Sequence, residues 1–167
     1  MSYRILATAA ALAVSLASAA PADALTLKGK AKVYVDDQGN ELVVVPVDEK
    51  QALVRVTGTS SPWDGQVRLH TIEDLGNGGM NIWTNKNGRR YTTVTVRKTW
   101  GSYLNWEFYL PGLKNDGVDV AYSEKQTAAL DPQAVLKEYE AQTKTRKAEP
   151  RMLTDDEIAK ADYASFL

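Results

Sequence analysis

The sequence predicts a mainly β protein, an antiparallel β-sandwich or alternatively an eight-stranded barrel, that ends in a C-terminal helical extension. Three observations predict this fold class. Between residues 25 and 125, runs of β-branched and aromatic residues alternate with Gly, Asn, Asp and Pro clusters, at the spacing of roughly eight short strands. No helical pattern separates these runs, so neighbouring strands should pair antiparallel. Beyond residue 126 the signals become those of helix ends.

The first 24 residues have the pattern of a signal peptide. Arg4 supplies a positive charge, residues 5–17 form an apolar run too short to span a bilayer comfortably, and small residues follow. The motif Ala22-Asp23-Ala24 is a suitable cleavage site directly before the first strand-like run. We therefore expect an exported protein with no membrane span after cleavage. Its parts are then a signal peptide at 1–24, a β-domain at 25–125 and the helical extension at 126–167.

Composition narrows the location and the class of partner. The chain has no cysteine and no Asn-x-Ser/Thr sequence, so neither disulfides nor N-glycosylation indicate eukaryotic secretion. We expect a bacterial protein that is periplasmic or secreted. The formal net charge of −1 offers no basic field for nucleic acid, which is therefore not an expected partner.

The first four strands are predicted at residues 26–35, 41–47, 51–58 and 66–72, where apolar and polar residues alternate between turn clusters. Lysines alternate with apolar residues along the first strand, a pattern typical of a solvated face or a protected edge. Pro46 has no N–H to donate, which indicates that the second strand is irregular or at an edge there.

The second half of the β-domain is organised around a hairpin of residues 91–98 and 103–110. A short strand through Ile82 and Trp83 precedes it, and a strand at 118–122 follows. Alternation divides the second strand of the hairpin into two faces. The predicted core face carries Leu104, Trp106, Phe108 and Leu110, and the other face carries Tyr103, Asn105, Glu107 and Tyr109.

Two helices are predicted in the extension. Asp131 followed by Pro132 is a helix start that leads to about residue 147. Thr154 and Glu157 have the spacing of a capping box, which predicts a second helix to about residue 163.

The residue inventory gives little support to catalysis. There is no cysteine, and the single histidine, His70, is predicted on the polar face of its strand with no serine in a nucleophile elbow. One histidine leaves only carboxylates as metal ligands, and their spacing matches no EF-hand loop. We therefore expect no catalytic residue, no metal and no cofactor.

Aromatic side chains next to amide and carboxylate groups are the main functional signal. Such surfaces suit sugar rings, which offer apolar faces and hydroxyl groups, and they also suit protein partners. The candidate ligand-binding residues are Tyr103, Asn105, Glu107, Tyr109, Arg97, Trp63 and Trp100, the last two in or beside loops. The alternative is that both faces of this sheet are covered and the residues are structural.

These observations favour an exported, non-catalytic binding or envelope-associated protein that recognises a glycan or a protein partner. A first alternative is a small glycan hydrolase that uses Glu107 and a second carboxylate, which the sequence does not identify. A second alternative is a lipocalin-like carrier of an apolar ligand, because eight antiparallel strands followed by a helix also describe that architecture.

Overall fold

The computed structural model describes residues 25–99, 101, 103–114 and 117–164. Eight antiparallel strands follow one another around a closed barrel in chain order, and three short helices come after them. The predicted mainly β fold with a C-terminal helical extension is confirmed, and of the two predicted architectures the protein has the barrel. The strands are β1 (Lys32–Val35), β2 (Glu41–Pro46), β3 (Gln51–Thr57), β4 (Arg68–Gly76), β5 (Gly79–Lys86), β6 (Arg89–Lys98), β7 (Leu104–Phe108) and β8 (Val118–Tyr122). The helices are α1 (Glu124–Ala129), α2 (Pro132–Thr145) and α3 (Asp155–Ala164).

No helix among the described residues is both long enough and apolar enough to cross a membrane.

The pairing of the first strand with the last closes the barrel. Tyr34 lies opposite Tyr122 and Val35 opposite Ala121, and the backbone N–H of Ser123 donates to the Val33 carbonyl at 2.9 Å. Pairing between strands so far apart in the chain cannot be inferred from local alternation. For that reason a sandwich and a barrel are indistinguishable in the sequence.

The barrel interior is filled by side chains. Alternate residues point inward and pack into one buried cluster, which includes Leu42, Val44, Val54, Val56, Ile82, Val94, Val96 and Phe108. The internal cavity at the end near Trp63 measures only about 10 Å³. An eight-stranded barrel is just wide enough for its own side chains, so this core leaves little room for a ligand.

A second apolar layer lies outside the barrel and holds α2. The outward side chains of β1 to β3 form a cluster with α2, in which Val33, Val43, Val45 and Leu53 meet Val135 and Leu136. This explains why residues 42–47 are apolar without a break, since a strand buried on both faces needs no polar side. Polar contacts also hold α2: the Arg55 guanidinium lies 2.9 Å from the Glu138 carboxylate, and Gln142 accepts from the Val67 N–H at 2.8 Å.

The first strand is shorter than predicted. Residues 26–31 lie outside the ladder, although the Lys28 N–H still donates to the Pro46 carbonyl at 3.1 Å. Gly29 has a φ of +110°, which ends regular strand geometry there. Leu25, Leu27 and Ala31 pack against the outer apolar layer, so the predicted strand pattern reflects burial of an irregular segment.

His70 lies inside the barrel, not on the polar outer face predicted for it. Only 3% of the residue is exposed. Its Nδ1 lies 2.9 Å from the Arg68 carbonyl and its Nε2 lies 2.9 Å from the Thr93 hydroxyl. A carbonyl only accepts, so Nδ1 carries the proton and the neutral ring accepts from Thr93 at Nε2. Burial lowers the pKa of His70 from 6.5 to about 4.

Removing the apolar contact of α2 should destabilise the whole domain. Leu136 is 9% exposed and packs on the outer layer, so we expect Leu136→Ala to lower the free energy of unfolding by about 2–5 kcal/mol, the usual cost of such a truncation. Chemical denaturation followed by circular dichroism measures this. The exposed neighbour Lys137 provides the control Lys137→Ala. Equal stability of the two variants would show that α2 does not contribute to the folded domain.

The stability should fall in acid because of His70. Its pKa is lowered from 6.5 to about 4 on folding, so between these values the unfolded chain binds a proton that the folded barrel does not. Stability is then full above pH 6.5 and decreases by up to roughly 3 kcal/mol as the pH falls toward 4. Thermal melts between pH 7.5 and 4.5 measure this, with His70→Gln as the non-titrating variant. A slope that is unchanged in His70→Gln would contradict the assignment.

Candidate functional site

The outward face of β7 and β8 carries a set of polar side chains that we call the polar row: Asn105, Glu107, Tyr109 and Asp119. Alternation along β7 sends Asn105 and Glu107 outward, and Tyr109 follows directly after the strand. On the neighbouring strand Asp119 pairs with Glu107 in the ladder, which places the two carboxylate side chains on the same face. On the predicted core face Phe108 and Leu110 are buried and Trp106 is half-buried, whereas Leu104 at the start of the strand is 44% exposed.

Hydrogen bonds link the polar row into one chain. The Asn105 side-chain amide donates to Glu107 Oε1 at 3.1 Å and to Asp119 Oδ1 at 2.8 Å. The Tyr109 hydroxyl donates a short hydrogen bond to the other oxygen of Glu107. Each member therefore orients its neighbour, and the row presents fixed carboxylate oxygens to the solvent.

Gly117 leaves the space that the Tyr109 ring occupies. A Cβ atom at residue 117 would lie 2.6 Å from the Tyr109 Cζ atom, closer than non-bonded atoms approach. The ring therefore lies against the glycine backbone at the start of β8. From there its hydroxyl reaches Glu107. The geometry of the row therefore requires glycine at position 117.

The electrostatics of the polar row keep the Tyr109 hydroxyl protonated. The hydrogen bond to Glu107 is the main cause that raises the pKa of Tyr109 above its ordinary value, and partial burial adds to it. Asp119 acts in the same direction, whereas the positive charge of Arg97 opposes it. The phenol is thus a hydrogen-bond donor at physiological pH.

Arg97 and Tyr103 border the polar row on the β6 side. Arg97 lies opposite Asn105 in the β6–β7 ladder and is exposed. Tyr103 lies just before β7, where its carbonyl accepts from the Thr99 N–H at 2.9 Å. Its side chain is 80% exposed, the largest exposure among the bulky apolar and aromatic residues described. Five of the seven predicted site residues therefore lie on this side of the barrel.

Trp63 does not join the other predicted site residues. Its side chain is 9% exposed and closes one end of the barrel interior. The Arg68 guanidinium lies 3.8 Å from the ring centroid, and the Tyr91 ring packs edge-on against it at 5.3 Å. Trp63 is therefore a core residue in a loop that folds back over the barrel. Trp100 lies outside the described residues.

Asp119 is the residue of this site that the sequence analysis missed. Asp119 lies between Val118 and Val120 in the strand predicted at 118–122, and alternation puts it on the face opposite to these two valines. What was missing was the register between β7 and β8, which places Asp119 beside Glu107. Among the described residues no three His, Cys, Asp or Glu side chains come together in a way that could hold a metal ion.

Comparison of the chain with known protein families, with curated proteins and with solved structures gave no match. The site must therefore be interpreted from its own geometry.

The ionisation of Tyr109 reports on the polar row. We expect Glu107→Gln to lower the pKa of Tyr109, because the substitution removes the charge and the strong acceptor that hold the phenol protonated. NMR titration of ¹³C-labelled tyrosine measures the change, and Tyr109→Phe identifies the signal. Glu140→Gln on the exposed side of α2 is the control and should leave the titration unaltered. An unaltered titration in Glu107→Gln would show that the row does not form in solution.

Proposed function

We propose that the protein is an exported, non-catalytic binding protein of the bacterial envelope, and that it recognises a glycan through the polar row. The observation that carries this proposal is the hydrogen-bonded chain from Tyr109 through Glu107 and Asn105 to Asp119 on the outside of the barrel. Export is proposed from the signal-peptide pattern of residues 1–24, which lie outside the described residues.

The chemistry of the row matches the chemistry of a sugar. Sugar hydroxyls both donate and accept, and the row offers carboxylate oxygens from Glu107 and Asp119 as acceptors. Arg97 beside them supplies a cationic donor. The exposed ring of Tyr103 provides an apolar surface of the kind on which a sugar ring stacks. A partner protein would use the same groups, but the row has few apolar anchors of the kind that dominate protein interfaces.

The arrangement of the carboxylates favours binding over hydrolysis. Asp119 is opposite Glu107 in the ladder, and both carboxylates accept from the Asn105 amide. Glycoside hydrolysis, however, uses two carboxyl groups that flank the scissile bond. Glu107 and Asp119 are side by side on adjacent strands of one outward face. They would therefore contact the same side of a sugar.

The filled barrel interior also argues against the lipocalin-like carrier. Such a carrier keeps its apolar ligand inside the barrel, where this protein has a buried cluster and a cavity of about 10 Å³. Most ligand pockets measure roughly 300–1,000 Å³. The outer surface is thus the better candidate for recognition.

Loss of a row member should weaken glycan binding without unfolding the protein. We expect Glu107→Gln and Asn105→Ala each to weaken the binding of soluble peptidoglycan fragments by about tenfold, the usual effect of removing one charged hydrogen bond. Isothermal titration calorimetry on the chain 25–167 measures the affinity, and Glu140→Gln is the matched surface control. Binding that is equal in all three variants would contradict the proposed site. Release of reducing sugar ends during the titration would instead indicate hydrolysis.

A further inference from the structure

The β7–β8 ladder does not extend to the N-terminal end of β7 or to the C-terminal end of β8. Their ladder ends at the pair Trp106 and Val120, although both strands continue beyond it. On its other edge β8 pairs with β1, Tyr122 with Tyr34. A pocket of about 420 Å³ lies where the β7–β8 ladder ends, and we call it the seam pocket. Its volume is in the range of roughly 300–1,000 Å³ that is common for small-molecule sites.

Three aromatic residues line the seam pocket: Tyr34, Trp106 and Tyr122. Tyr34 and Trp106 are stacked with ring centroids 4.1 Å apart, and Tyr122 meets Tyr34 edge-on at 5.9 Å. Tyr34 is 3% exposed and belongs to the core, whereas Tyr122 is 53% exposed, so Tyr122 is the ring that a ligand can reach. Burial raises the pKa of Tyr34 well above its ordinary value, which keeps its hydroxyl protonated.

Polar residues also line the seam pocket. Lys32 at the start of β1 and Asn105 of β7 line it together with the apolar Leu104. Aromatic side chains together with hydrogen-bonding groups are the combination that a pyranose ring requires, because the ring has an apolar face and a polar edge. An acyl chain would instead need a long dry channel, and the interior beyond Trp106 is closed by the fully buried Phe108 and Val96.

Asn105 connects the seam pocket to the polar row. It lines the pocket, and its amide donates to both carboxylates of the row. Successive outward positions on a strand are about 7 Å apart, so Glu107 lies one such step from the pocket. A chain of sugar rings can therefore rest on the row while its terminal ring occupies the pocket.

We propose that the seam pocket is a subsite that binds the terminal pyranose ring of the glycan held by the polar row. This inference rests on the proposed function and adds the chemical class and direction of the ligand. It also identifies two residues outside the row that act on the ligand. Tyr122 would stack on the sugar ring and Lys32 would hydrogen-bond its hydroxyls.

The test uses N-acetylglucosamine oligosaccharides of one to four rings as probes. Two sets of NMR signals are followed in the chain 25–167: the Trp106 indole N–H for the seam pocket and the Asn105 side-chain amide for the polar row. We expect both sets to shift with the longer probes, and we expect Tyr122→Ala to weaken their binding by about tenfold, a typical loss for one stacked ring. Tyr122→Phe keeps the ring and should retain the affinity. Lys144→Ala, on the exposed part of α2, is the surface control.

The possible outcomes separate the subsite from the proposed function. Shifts confined to the Asn105 amide, with full affinity in Tyr122→Ala, would overturn the subsite and leave the glycan-binding row standing. Shifts confined to Trp106, with full affinity in Glu107→Gln, would support the pocket and overturn the role of the row. No shift with any of these sugars would overturn both. Trp106 shifts caused only by an envelope protein would overturn the sugar as occupant.

Discussion

The short pairing of β1 with β8 is the constraint on which the rest of the structure depends. It is made by Tyr34 with Tyr122 and Val35 with Ala121, and the Ser123 N–H extends it. By drawing β8 to β1, this pairing closes the barrel around its core. The seam pocket lies next to this pairing, where the β7–β8 ladder ends. Tyr34 and Tyr122 therefore take part both in the closure of the barrel and in the lining of the seam pocket.

Apolar packing on both the inner and the outer side of the strands stabilises the barrel. Inside, the cluster around Leu42, Val54 and Phe108 fills the space between the strands. Outside, Val135 and Leu136 of α2 cover the β1 to β3 face. A domain without cysteine has no disulfide bond and depends on buried apolar area for its stability. Covering β1 to β3 leaves the other side of the barrel, with β7 and β8, to present polar groups.

Local patterns located most of the strands, although β1 is shorter than predicted, because side chains alternate with a period that does not depend on distant contacts. Five of the seven predicted site residues lie on one side of the barrel because they follow this alternation along β6 and β7: Arg97, Tyr103, Asn105, Glu107 and Tyr109. Trp63 is a loop residue, and the alternation of side chains does not predict over which end of the barrel a loop folds. Asp119 and Tyr122 join the site through strand register and barrel closure, which are long-range properties. The six-residue helix α1, capped by Ser123, is too short to give a helical period.

The filled interior limits which substitutions the protein can accept during evolution. Residues that point inward are committed to packing, where even small changes in volume cost stability. Most members of the polar row point outward and contribute little to the buried cluster. Ligand preference at the polar row can therefore diverge by substitution on the outer wall while the barrel stays intact. A hollow barrel lacks this separation, since there the residues that select the ligand also line the core.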